Sequence, residues 1–190
     1  MALTGGTAYD HYHRITVRWR PAGPIVDEYN FATSTSGYRC LGVIGDPNHW
    51  PFQAGDHTPR STHTTIATPG GPTIWPKNGW VYAGDFRVVD PDRFERWLLR
   101  ELRAGRWAET VKYFNINNRH WNRKAIKAGK MFAYASNSGD DHFHLSTMPG
   151  REHSRGGILA AWHRHRNTPE LRAQPAATPS PAPRHRWIVD

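Results

Sequence analysis

Short runs of alternating polar and apolar residues predict a set of β-strands along the chain. The run at residues 79–89 is the strongest, because it combines this pattern with aromatic and β-branched residues. Strands are expected at residues 13–19, 38–45, 79–89, 111–117, 131–136 and 142–146.

A single long amphipathic segment, residues 90–106, predicts a helix. Its apolar residues from Phe94 to Leu102 fall near helical spacing, Asp90 or Asp92 can cap its start, and Gly105 can end it. A second, short helix is expected at residues 156–165. Strands around one main helix, joined by long loops, indicate an α+β fold with a small, mainly antiparallel sheet.

The length and the distribution of residue types predict one domain over residues 1–165, followed by a Pro/Ala-rich tail over 166–190 that is disordered or extended. Residues 46–78 form a long polar stretch without periodicity, which is typical of a functional or disordered segment. We expect no secretory signal, because the first residues lack a charged start and an apolar core. No apolar run is long enough for a membrane span, and a monomer is expected.

The formal net charge of +9 favours a polyanionic partner: nucleic acid, an anionic membrane face or an acidic cell-wall polymer. An Arg- and Pro-rich coding bias would produce the same excess, so charge alone does not choose among these. The lone cysteine, Cys40, excludes an internal disulfide, and its place in an apolar strand favours a small buried side chain over a nucleophile.

The segment "DDHFHLS" places His142 and His144 on one face of a predicted strand, which suits a metal site. A catalytic zinc needs a third protein ligand. Asp85 is a candidate, because a carboxylate within an apolar strand needs a partner, and His57 precedes that strand in "GDHTP". The similarly spaced pair near residue 12, in "DHYH", has no comparable neighbours, so we interpret it as an ordinary pair.

Four segments in this order, "GDHTP", "GWVYAGDF", "VKYFNINNR" and "DDHFHLS", resemble zinc peptidases of the D-Ala-D-Ala carboxypeptidase and hedgehog-like superfamily. The similarity is strongest to the lysin-type peptidase domains of actinobacteria and their bacteriophages, which include endolysins. It covers about residues 40–148.

The resemblance implies Zn²⁺ bound by His57, Asp85 and His144. It implies His142 or Asp141 as the catalytic base and leaves the choice between them open. The activity it implies is hydrolysis of a peptide bond in bacterial peptidoglycan, in which zinc activates water and polarises the scissile carbonyl.

Asn118 and Arg119 resemble a pair with either a substrate-binding or a structural role. The implied location is the cell wall, reached after synthesis in the cytoplasm and release, or the virion.

Two other functions remain open from the sequence. The basic segment "NINNRHWNRK" suggests a metal-dependent nuclease or a nucleic-acid-binding protein. An inactive descendant of the peptidase fold would serve as a binding or virion protein and would hold no zinc.

Overall fold

A computed structural model describes residues 3–10, 15–43, 79–131, 133–134 and 142–169. This part of the chain contains both helices and strands, and its sheets are mostly antiparallel, which confirms the α+β class. The helices are α1 (Gly23–Ser34), α2 (Pro91–Arg103), α3 (Arg123–Ala128) and α4 (Ile158–Arg166). The strands are β1 (Gly6–Asp10), β2 (Ile15–Pro21), β3 (Arg39–Gly42), β4 (Trp80–Val81), β5 (Ala83–Arg87), β6 (Val111–Ile116), β7 (Arg119–Asn122), β8 (Ala133–Tyr134) and β9 (His142–Thr147).

The larger sheet has six strands in the order β3-β5-β9-β6-β7-β8, and every neighbouring pair is antiparallel. Among the described residues, β9 is the last strand in sequence, and it lies between β5 and β6. A smaller sheet has the order β1-β2-β4, in which β1 and β2 are antiparallel and β2 and β4 are parallel. The mainly antiparallel arrangement expected from the sequence is confirmed.

Helix α2 forms where the amphipathic pattern predicts it. Phe94 and Leu98 are fully buried, and Asp90 directly precedes the first helical residue, Pro91. The Asp90 side chain makes no capping hydrogen bond; it forms an ion pair with Arg93 at 3.2 Å instead. Asp90 thus occupies the expected position without the expected contact.

Helix α1 is not apparent from the apolar pattern, because its buried face includes a carboxylate. Glu28 is completely buried, and its oxygens accept hydrogen bonds from the backbone amides of Ile158 (2.6 Å) and Leu159 (2.8 Å) at the start of α4. Burying a carboxylate is costly unless such donors are present. These donors lie 130 residues away in the sequence, so a local pattern does not predict the helix.

Two further strands and a helix also differ from the expectations. Residues 6–10, where no strand is expected from the sequence, form β1, and the polar segment after residue 118 forms β7 and α3. Helix α3 is capped by Asn122, whose side-chain oxygen accepts from the amide of Ala125 at 3.0 Å. The single main helix of the sequence prediction is thus accompanied by α1, α3 and the expected α4.

The helices pack against one face of the larger sheet. Phe143 of β9 is fully buried and meets Phe94 of α2 edge to face, with ring centroids 4.8 Å apart. Phe86 of β5 lies beside Phe143, and Trp162 of α4 contacts Phe94. Because side chains alternate along a strand, the residues next to these aromatic residues face the other side of the sheet.

None of the helices within the described ranges is long and apolar enough to cross a membrane.

Candidate functional site

The predicted site residues on β5 and β9 lie side by side on the face of the sheet away from the helices. Asp85 is directly opposite His144 across the two strands, and His142 is two residues from His144, on the same face. Their neighbours Phe86, Phe143 and Leu145 are buried on the helix side. Burial of these apolar neighbours therefore orients the carboxylate and both imidazoles towards the same side.

Both imidazoles converge on one carboxylate oxygen. His142 Nε2 lies 2.8 Å and His144 Nδ1 lies 2.9 Å from Asp85 Oδ1. The second ring nitrogen of His144, Nε2, is 3.0 Å from the hydroxyl oxygen of Ser146. All three side chains of the group are partly buried, with between 12% and 25% of the side chain exposed. We call Asp85, His142 and His144 the Asp85 cluster.

The polar face continues across two more strands. Asn115 of β6 is directly opposite His144, and His120 of β7 is directly opposite Asn115. His120 Nδ1 lies 2.7 Å from Asn115 Oδ1. Asp85, His144, Asn115 and His120 thus form a row across four neighbouring strands.

An aromatic ring lies along this row. Tyr113 stacks on the imidazole of His144, with centroids 5.3 Å apart and ring planes inclined by 13°, and its centroid is 5.0 Å from that of His120. Burial lowers the pKa of His120, and the nearby His144 lowers it further. His120 is therefore expected to be a neutral imidazole at neutral pH, able to donate or accept a hydrogen bond.

His120 is not among the candidate site residues that the sequence indicates, although it belongs to this row. The signal that could have identified it is the hairpin: Asn117 and Asn118 form a two-residue turn in which both have positive φ, 50° and 58°. Consecutive Asn residues tolerate this conformation, which is typical of tight β-hairpins. Recognising the turn places His120 directly opposite Asn115.

Arg119 lies on the opposite face of the sheet from the Asp85 cluster. Its guanidinium group donates a hydrogen bond to Glu95 of α2 at 2.7 Å, and this glutamate is 3% exposed. Glu95 also accepts from Trp121 Nε1 at 2.6 Å and from the side-chain amide of Asn117 at 2.9 Å. Through the contact with Glu95, Arg119 joins β7 to α2, which is a structural role. Substrate binding by Arg119 and by the turn residue Asn118 stays a prediction.

Two predicted site residues, His57 and Asp141, lie outside the described residues, as does the similarly spaced histidine pair near residue 12. Within the described ranges, no group of three or more His, Cys, Asp or Glu side chains is arranged to hold a metal ion. Asp85 and His144, two of the three ligands implied by the resemblance, lie together in the Asp85 cluster, and metal binding by them and by His57 stays a prediction.

Cys40 of β3 lies near Asp85. The pKa of its thiol is raised to about 11, mainly by burial and also by the Asp85 carboxylate, against a hydrogen bond with the backbone of Gly42 that lowers it. A thiol with this pKa remains protonated at neutral pH and is a poor nucleophile.

Comparison with protein-family models, curated proteins and solved structures finds no match for this chain.

Proposed function

We propose that this chain is a zinc-dependent hydrolase that cleaves a peptide bond in bacterial peptidoglycan. The observation that carries the proposal is the convergence of His142 and His144 on Asp85 Oδ1, at 2.8 and 2.9 Å. As described, these three side chains are not arranged to hold a metal ion by themselves, but a carboxylate and imidazoles on one sheet face are the ligand types that zinc binds. The order of the four segments in the resemblance also supports it.

The chemistry of the donors fits zinc. Asp85 would bind through its carboxylate and His144 through an imidazole nitrogen, with His57 as the proposed third ligand. A nitrogen that donates a proton to Asp85 cannot bind a cation at the same time, so metal binding requires loss of that proton. When bound, zinc would supply a Lewis acid that polarises the scissile carbonyl and makes water acidic enough to attack it.

His142 is proposed to move the proton. It lies on the same face as His144, and 25% of its side chain is exposed, so its imidazole would accept a proton from attacking water and deliver it to the leaving amine. Asp141, the alternative base, precedes it in the chain. Ser146, 3.0 Å from His144 Nε2, would orient the ring of that ligand through its hydroxyl group.

Zinc analysis of the purified full-length chain tests the metal site. We expect about one zinc per chain, and strong depletion in His57→Ala, Asp85→Ala and His144→Ala. His142→Ala should retain zinc and lose hydrolysis. The matched control is His11→Ala, from the similarly spaced pair near the N-terminus, which should keep both. Full zinc content in Asp85→Ala would contradict the proposed site.

Mass spectrometry of purified peptidoglycan after incubation with the protein tests the reaction. The expected result is a new pair of fragments that differ by one hydrolysed peptide bond, formed by the unmodified chain and absent with His142→Ala. Zinc binding without such fragments would contradict peptidoglycan hydrolysis. Cleavage of nucleic acid by the same preparation, lost in Asp85→Ala, would favour the nuclease alternative.

A further inference from the structure

A cavity of about 430 Å³ lies at the end of α2, between the turn that follows this helix, the first residue of β6 and helix α3. Leu102, Val111 and Ile126 line its floor and are at least nine-tenths buried, and the half-buried Ala108 adds a further methyl group. A concave site of this size with an apolar lining is typical of pockets that bind small molecules.

Three cationic side chains line the same cavity: Arg103, Arg123 and Lys127. Arg103 is fixed in place, because its Nε donates to the carbonyl oxygen of Ile126 at 2.9 Å. Its guanidinium group also lies against Gly129, where an added Cβ would be 3.3 Å from Nη2. This anchoring keeps one positive charge at the edge of the apolar floor.

The positive charge around the cavity is only partly balanced. Arg123 contacts Glu109 at 3.5 Å, in a pair whose side chains are about half and more than two-thirds exposed. Among the described residues, no acidic side chain forms an ion pair with Arg103 or Lys127. Both cations lie at the C-terminal ends of helices, where the helix dipole stabilises them. The cavity thus combines an apolar floor with excess positive charge at its edge.

We propose that this cavity binds an amphiphilic anion: a small molecule with one anionic head and a short hydrocarbon body. The head would pair with Arg103, Arg123 and Lys127, and the hydrocarbon would displace water from Leu102, Val111 and Ile126. Neither part alone matches the cavity, since a free anion leaves the floor wet and a neutral hydrocarbon leaves the cations unpaired. None of the lining residues belongs to the Asp85 cluster, so this site is independent of the proposed hydrolase function.

Isothermal titration calorimetry of the full-length chain tests the site with three probes: octanoate, 1-octanol and inorganic phosphate. Octanoate should bind saturably with one site per chain, and both single-feature probes should bind at least about tenfold more weakly. Absence of saturable octanoate binding would overturn the proposal. Equal affinity for 1-octanol would show that the cations have no role, and equal affinity for phosphate would show that the apolar floor has none; either result would also overturn it.

Variants locate the binding. Arg123→Gln/Lys127→Gln should weaken octanoate binding about tenfold, because it removes two exposed charges from the edge of the cavity without changing the buried floor. Lys124→Gln is the matched control: it lies on the same helix and removes the same charge, but it does not line the cavity. Unchanged octanoate affinity in the double variant, or an equal loss in the control, would refute this location.

Discussion

The buried carboxylate between α1 and α4 predicts an unusual pH dependence of stability. Glu28 is fully buried, and its pKa is raised from 4.5 to about 7. Burial is the main cause and the nearby Asp27 also raises the pKa, while amide hydrogen bonds from Leu159, Ile158 and Gly157 lower it. The folded chain therefore holds the Glu28 proton more tightly than the unfolded chain does. The perturbation to test is a rise in pH from 5 to 8, with and without Glu28→Gln.

The sign and the size of the effect follow from the two pKa values. A group whose pKa is raised on folding stabilises the folded state below its unfolded pKa, here 4.5, and loses that contribution as the pH rises through about 7. The shift of roughly 2.5 units corresponds to about 3 kcal/mol in the free energy of unfolding, most of it lost between pH 5 and 8. Glu28 thus makes the protein less stable as the pH rises.

Urea unfolding at several pH values between 5 and 8 measures this contribution as a difference between variants. The side chain of the Glu28→Gln variant cannot ionise. Between pH 5 and 8, the unmodified chain should therefore lose about 2–3 kcal/mol more free energy of unfolding than this variant does, whatever the stability of the variant at pH 5. Glu109→Gln makes the same chemical change at a side chain that is 70% exposed and should follow the unmodified chain. Parallel pH profiles for Glu28→Gln and the unmodified chain would refute the reasoning.

Two further predictions concern the core and the cysteine. Phe143→Ala should lower the free energy of unfolding by about 3–5 kcal/mol, because it leaves a cavity beside Phe94, and a loss below about 1 kcal/mol in urea unfolding would contradict the described packing. Cys40, whose pKa is raised by burial from 9.0 to about 11, should react about 100-fold more slowly with a thiol reagent at pH 8 in the folded chain than in urea. Equal labelling rates in the two states would show that the thiol is not held in this environment.

The elements that could be predicted from the sequence are those whose buried face is apolar. Helix α2 has a continuous apolar stripe, and β5 and β9 bury Phe86 and Phe143. In each case, local spacing alone identifies the side that packs. Asp85 and His144 are paired directly across β5 and β9, while the metal site to which the sequence assigns them stays a prediction.

The elements that could not be predicted bury polar groups whose partners are distant in sequence. A glutamate at position 28 is typical of an exposed segment, so the sequence does not indicate that this face of α1 is buried. The amides at the start of α4 that bind its carboxylate are apparent only in the structure. The sequence of strand β7 is mostly polar, so its pattern does not predict a strand. Its polar groups are satisfied by other elements: Arg119 and Trp121 contact Glu95, and His120 contacts Asn115. Such partners become apparent only when the tertiary fold is known.

The position of β9 between β5 and β6 links correct folding to the assembly of the proposed site. A shift of β9 by one residue would turn Phe143 and Leu145 out of the core and bring His142 and His144 into it. Because the aromatic core opposes that shift, a chain that buries these residues correctly also places both histidines beside Asp85. Misaligned chains would lose stability and the proposed chemistry together, so selection for a stable fold also preserves the geometry of the Asp85 cluster.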